Sequence, residues 1–281
     1  PAPQAAAPAA LPPSERSAAV AAHFARVERD LKARGLMRTD SGERDAPFGP
    51  RQLTEAFVRV ALYDEYSSVG GTFVAREAPA PLRRWASAVR IGLRFGPSVS
   101  PEQRARDTAQ VTALAARLAR ATRHPIRVTD AAPNFWVYVV NEDERPGYAA
   151  EWAALFPGVA QSDLAFATGI DLRTFCLVIA VSEGDSAVYS GALAVVRAEL
   201  PDALRLSCFH EEIAQGLGLA NDSPLARPSI FNDDEEFALL TRMDELMLRM
   251  LYDSRLRPGM REAEARPIIE VIAAEQTGGG T

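Results

Sequence analysis

At 281 residues and 47% hydrophobic content, the chain can bury one substantial core and a small helical appendage. A net charge of -6 and a pI near 5.3 argue against a broad nucleic-acid-binding surface. No apolar run approaches the ~20 residues that span a bilayer, and the longest, Cys176 to Val181, is strand-sized.

Residues 1–13 are almost wholly Pro and Ala, too poor in core-forming side chains to fold, and read as an extended tether. This composition suits both a trimmed or linker-like chain end and the spacer of a lipoprotein that has lost its signal peptide and lipidated cysteine. Ser14-Glu15 opens a helix in capping style, with Val20, Phe24, Val27 and Leu31 at helical spacing up to Gly35. Leu53, Phe57, Val60 and Ala61 predict a second helix before Gly70-Gly71, so 14–84 reads as an N-terminal helical region. From Ala88 to Phe95 apolar and basic residues alternate as in a half-buried strand, and Ser100-Pro101-Glu102 then starts a long helix. Ile126 to Val128 and Phe135 to Val140 read as strands, and Tyr148 to Phe156 as a short helix.

Cys176 to Val181 and Gly191 to Ala198 form two further strands, antiparallel because the connection between them is short and turn-rich. Leu204 to Leu219 reads as a helix stopped at Gly218, and Glu235 to Leu251 as the last large helix. Residues 261–281, ending in Gly278-Gly279-Gly280, read as a tail. The order of elements predicts an α/β (α+β) fold with helices packed on a mixed sheet. The two cysteines, Cys176 and Cys208, fit either two buried free thiols or one bridge.

The chemistry concentrates in one helix. Glu211-Glu212-x-x-Gln215-x-x-Gly218-x-x-Asn221 has the spacing of the metzincin signature HExxHxxGxxH. In that register Glu212 holds the general-base position and Gly218 the turn that returns the chain, while Glu211, Gln215 and Asn221 stand where three zinc-binding histidines would be. Pro228-Ser229-Ile230-Phe231-Asn232 resembles the segment around a metzincin's Met-turn, with Phe231 in place of Met. Leu240-Thr241-x-x-Asp244 and Leu251-Tyr252 resemble the final helix of matrix-type metallopeptidases.

The segment also resembles, more closely, an uncharacterised proteobacterial family described as lipoproteins and carrying a domain of unknown function. The matching residues include Cys208, Glu211-Glu212, Gln215, Leu217-Gly218-Leu219, Asn221-Asp222, Ser229 to Asp233, Leu240-Thr241-Arg242 and Arg255 to Met260. Together the resemblances imply a zincin-like domain over 85–260, with an active-site helix and a C-terminal helix on the sheet. They imply export to the periplasm or cell envelope, with the membrane reached only through a lost N-terminal lipid anchor. The oxidising compartment so implied makes a Cys176–Cys208 bridge the expectation.

Oxygen donors in place of imidazoles remove the preference for zinc and leave weak affinity for calcium or magnesium, so no resident metal or other cofactor is expected. Without a metal, Glu212 has no activated water to deprotonate. The expected role is therefore a non-catalytic module that holds a protein or peptide partner in the old substrate groove. An active hydrolase using Glu212 and an oxygen-ligand site is the alternative. A purely structural reading has Gln215 and Asn221 bonding backbone around the turn, and the glutamates meeting Arg242 or Arg249. His23, His124 and His210 lie in separate elements, and His210 reads as a helix-surface or partner-contact residue.

Overall fold

A computed structural model describes residues 12–42, 44–69, 72–232 and 234–278. Most of the Pro/Ala-rich opening, Gly70-Gly71, Asp233 and Gly279-Gly280 lie outside the described residues. Two helices come first. α1 (Glu15–Ala33) is capped by the Ser14 hydroxyl, which accepts from the Ser17 N–H, and α2 (Pro50–Ala61) starts on a proline whose missing N–H costs nothing there. A hairpin, β1 (Tyr63–Val69) with β2 (Thr72–Pro79), follows, then the two-residue strand β3 (Arg84–Trp85). Region 14–84 is thus not helical throughout. The polar stretch from Tyr63 lacks the alternation by which a half-buried strand is read.

The main sheet is built from β4 (Val89–Phe95), β5 (Ile126–Val128), β6 (Phe135–Val140), β7 (Cys176–Ser182) and β8 (Val188–Arg197), with β3 pairing the first residues of β8. Strands β5, β4, β6 and β8 lie side by side and parallel, and β7 joins β8 antiparallel. β6 and β8 are covered on both faces, which explains their near-continuous apolar sequences, whereas β4 alternates apolar and basic residues. On one face Ile91, Val137, Val139, Ala194 and Val196 meet α3 (Pro101–Thr122), α6 (Asp202–Gln215) and α7 (Arg242–Leu251). On the other, Tyr138, Val140, Leu193 and Val195 meet α4 (Ala149–Leu155) and α5 (Gln161–Thr168) through Trp152 and Leu164. The fold is α+β, as the order of elements predicts.

Phe24 of α1, Leu53 and Phe57 of α2 and Ile269 of α8 (Glu262–Gln276) belong to the same buried cluster as α3, α6 and α7. The sequence reads 261–281 as a tail, because α8 carries only a thin apolar stripe (Ala265, Ile269, Ile272, Ala273) and an internal Pro267. That stripe is fully buried all the same. The last large helix also starts later than expected, at Arg242 and not Glu235. Glu235 has φ 58, and the chain beyond it bridges in parallel to Arg38 at Phe237. The helix begins where Thr241 and Asp244 close a capping box. No helix among the described residues is long and apolar enough to cross a membrane.

Candidate functional site

α6 runs behind the sheet and is buried on most of its circumference, Leu204, Cys208, Phe209, Ile213 and Ala214 facing the core. Its last turn ends in a tight bend. Gly218 sits at φ 125, and a Cβ there would come within 2.2 Å of the Arg83 carbonyl oxygen, so only glycine fits both the dihedral and the approach. Trp85 Nε1 donates to the Gly216 carbonyl at 2.8 Å and the Tyr252 hydroxyl to that of Leu217 at 3.1 Å. The bend at Gly218 is thus held from both sides.

Beside this bend a cavity of about 400 Å³ opens between α6 and β7. Glu211, Glu212 and Gln215 line it from the helix and Asp222 from the segment beyond, with Gln215 Nε2 donating to Asp222 Oδ1 at 3.2 Å. Glu212 is buried and Glu211 half-buried. Asn221 is not part of this wall. Its Nδ2 donates to the Arg59 carbonyl at 2.9 Å and its backbone N–H to that of Val60 at 3.1 Å, fastening the bend to α2. The structure therefore gathers Glu211 and Gln215 and turns Asn221 away, while Asp222 takes up the space. Motif spacing fixes the order of residues along a chain but not the rotamer of the last one.

The opposite wall is made by every residue from Arg173 to Ala180. Side chains of a strand alternate between faces, and in β7 Cys176, Val178 and Ala180 pack toward α6 while Leu177 and Ile179 pack toward α4 and α5. A cavity that meets both sets faces the edge of the strand. Among the described residues β7 pairs only with β8, so this edge is the one not used by the sheet.

Asp64, Asp163 and Glu235 add carboxylates to the lining, against Arg83 and Arg173. Arg83 is engaged with Asp64 at 2.6 Å, and Arg173 with Asp171 at 2.6 Å. Burial pushes the Tyr189 phenol, beside Arg83, up to about 12, which keeps it a neutral hydrogen-bonding group. The sequence carries no local signal for Asp64, Arg83, Asp163 or Tyr189, because they reach the cavity from distant elements.

Cys176 and Cys208 form a disulfide with Cα atoms 5.9 Å apart. Cys176 lies on the α6-facing side of β7, and Cys208 stands one turn before Glu211 and Glu212, so the bridge pins the edge strand to the helix beside the cavity. Donor atoms of Cys176, Glu211 and Glu212 lie within 4.8 Å of one another. In this oxidised state the Cys176 sulfur is committed to the bridge.

His210 departs from its expected place on the surface. It is buried at 7% exposure, and its Nδ1 accepts from the Leu240 N–H at 3.2 Å. Burial, with a smaller contribution from the Arg117 charge, depresses it to about 3. A depressed histidine adds stability above its unfolded value of 6.5 and loses it as pH falls from there toward 3. Wild type minus His210→Asn stability should be flat above pH 7 and fall by roughly 2 kcal/mol by pH 4.5, within the limit of about 1.4 kcal/mol per pH unit. Urea melts across that range check this, and a pH-independent difference would contradict it.

A search of curated proteins and a search of solved structures each returned no match. The family described as protein of unknown function (DUF2927) matches residues 50–271, a span that takes in α2, the whole sheet, both walls of the cavity and most of α8. The chain belongs to that family.

Proposed function

We propose that the chain is a non-catalytic module of the cell envelope that holds an extended peptide segment of a protein partner between β7 and α6, on the scaffold of a degenerate metallopeptidase. The observation that carries this reading is the cavity wall made by the unused edge of β7. An exposed strand edge offers backbone N–H and C=O groups to an added strand, and flanking side chains then select the sequence.

The metallopeptidase scaffold is supported by the layout. An antiparallel edge strand and a last parallel strand lead into α6, Gly218 turns the chain, and a buried Ser229-Ile230-Phe231 segment precedes α7. The non-catalytic role is supported by Asn221, whose amide is spent on α2 and so withdraws the third ligand position from the cavity. Placement in the periplasm or envelope is supported by the disulfide, since such bridges persist in oxidising compartments.

Selection from a random-peptide library by the oxidised full chain tests this reading. Enriched peptides should be recovered intact, bind equally with and without chelator, and bind at least tenfold more weakly to Ala180→Trp, which fills the groove beside the strand edge. Peptides cleaved in a chelator-sensitive manner would instead support the hydrolase reading, with Glu212 as general base. Binding unaffected by Ala180→Trp would place the contact elsewhere.

A further inference from the structure

The helices that cover the sheet stop short on one side. α4 and α5 pack on β6, β7 and β8, and β4 and β5 contribute nothing to that second buried cluster. The face left uncovered carries residues with no part in the cavity. Arg90, Gly92 and Arg94 alternate toward it from β4, joined by Arg127 of β5 and Trp136 of β6. Arg94 and Arg127 are exposed, and Arg90 and Trp136 half-buried. We propose that this cationic face of β4 and β5 docks the protein on the surface of an anionic phospholipid bilayer.

Charge comes first. Arg90 and Arg127 are partners across the parallel β4–β5 pair, so their side chains leave the sheet side by side. Like charges placed so are unfavourable, and among the described residues neither they nor Arg94 makes an ion pair. Arg90 Nε donates instead to the Ala132 carbonyl at 2.6 Å, which fixes its direction. Asp130, in the connection after β5, is exposed and makes no ion pair with them. Glu144 accepts from the Ser98 N–H at 2.7 Å and the Asn141 N–H at 3.0 Å, and Glu151 from the Tyr138 hydroxyl at 2.6 Å. In a chain of net charge -6 this face holds a local excess of positive charge, which an outside anion relieves.

Shape then selects the anion. Arg94 stands four residues from Arg90 along the strand, about 13 Å away, so one small anion cannot meet all three guanidinium groups. A plane of phosphates can, because a sheet face presents its side chains in one plane. Trp136 favours a bilayer over nucleic acid. Its indole reaches across Gly92, where a Cβ would come within 2.7 Å of Cζ3, and the Arg94 guanidinium lies over it, 4.9 Å from the ring centre. The ring engages an arginine and does not stand open to stack a base, whereas an indole beside guanidinium groups suits the headgroup level of a membrane. β4 and β5 lie at the opposite side of the sheet from β7. Docking there leaves the β7 groove open, and the inference does not rest on the peptide-binding reading.

The test is co-sedimentation of the oxidised full chain, at low ionic strength, with vesicles of phosphatidylcholine alone or with about one third phosphatidylglycerol. Binding to the anionic vesicles should be at least about 30-fold tighter and should weaken as salt is raised. The Arg94→Gln, Arg127→Gln double variant should lose at least about tenfold of that affinity with its near-ultraviolet circular dichroism unchanged, and Arg127→Gln alone about fivefold. Trp85 and Trp152 are buried, so Trp136 is the tryptophan that can report the contact. Its emission should move to shorter wavelength on anionic vesicles, and Trp136→Phe should remove the shift. Equal binding to both vesicles, full binding by the arginine variants or an unmoved emission would overturn the proposal. So would displacement by inorganic phosphate at matched phosphate concentration, the mark of a single-anion site. Tighter binding of a single-stranded oligonucleotide would overturn it in favour of nucleic acid.

Discussion

Replacing Asp244 with alanine should lower stability by about 4 kcal/mol, the largest effect expected of any single side chain outside the cavity. Asp244 is fully buried at the start of α7, and burial pushes its carboxyl above the usual carboxylate range. It accepts from the Ser229 hydroxyl, from the Ile230 N–H at 3.2 Å, and from the Thr241 N–H at 2.7 Å and hydroxyl at 3.0 Å. One carboxyl group therefore caps α7 and fastens the Ser229–Phe231 segment beneath α6. Alanine leaves the Ser229 hydroxyl and the Ile230 and Thr241 N–H groups buried without an acceptor, at about 1–3 kcal/mol each before relaxation, while the Thr241 hydroxyl keeps the Pro228 carbonyl at 2.8 Å. Asp244→Asn keeps the volume and one acceptor, and should cost about 2 kcal/mol. Urea denaturation should show the midpoint falling in that order with an unchanged slope. A loss below 1 kcal/mol for Asp244→Ala would show that the segment is held by packing alone.

Removing the disulfide is the second large effect. The bridge closes a loop of sequence separation 32, worth about 4 kcal/mol on the chain-entropy account. The Cys176→Ala, Cys208→Ala double variant should therefore melt roughly 6–8 °C below wild type in a chain of this size. Alanine is preferred to serine because Cys208 lies in the core, where a hydroxyl would need a partner. Thiol titration of denatured, unreduced protein should find no free cysteine. A melt within 2 °C of wild type, or two titratable thiols, would show that the fold does not depend on the bridge.

What the sequence discloses is uneven, for physical reasons. α1, α3 and both sheet-core strands that flank α6 are legible because caps and apolar runs are local signals: the hydroxyls of Ser14 and Ser100 accept from the first-turn N–H groups of their helices, as their positions suggest. α7 is displaced by seven residues because Phe237 and Leu240 continue its apolar spacing through a segment that is not helical. α8 is missed because its burial comes from packing against α2, a long-range contact without a local trace. Within the site, the register of Glu211, Glu212, Gln215 and Gly218 is readable from spacing alone. The turning away of Asn221 is not, since it depends on two carbonyls of α2 some 160 residues earlier. The carboxylates of the cavity likewise come from three elements, β1, α5 and α6, and from connections.

The claim that the unused edge of β7 is a peptide-binding surface is tested most directly by amide hydrogen exchange, using a library-selected peptide bound to the oxidised full chain. Exchange should slow at alternate residues between Cys176 and Ala180, the half of the strand's N–H groups not paired with β8. The peptide should be recovered intact. Protection confined to other elements, or a peptide cleaved during the incubation, would contradict the account.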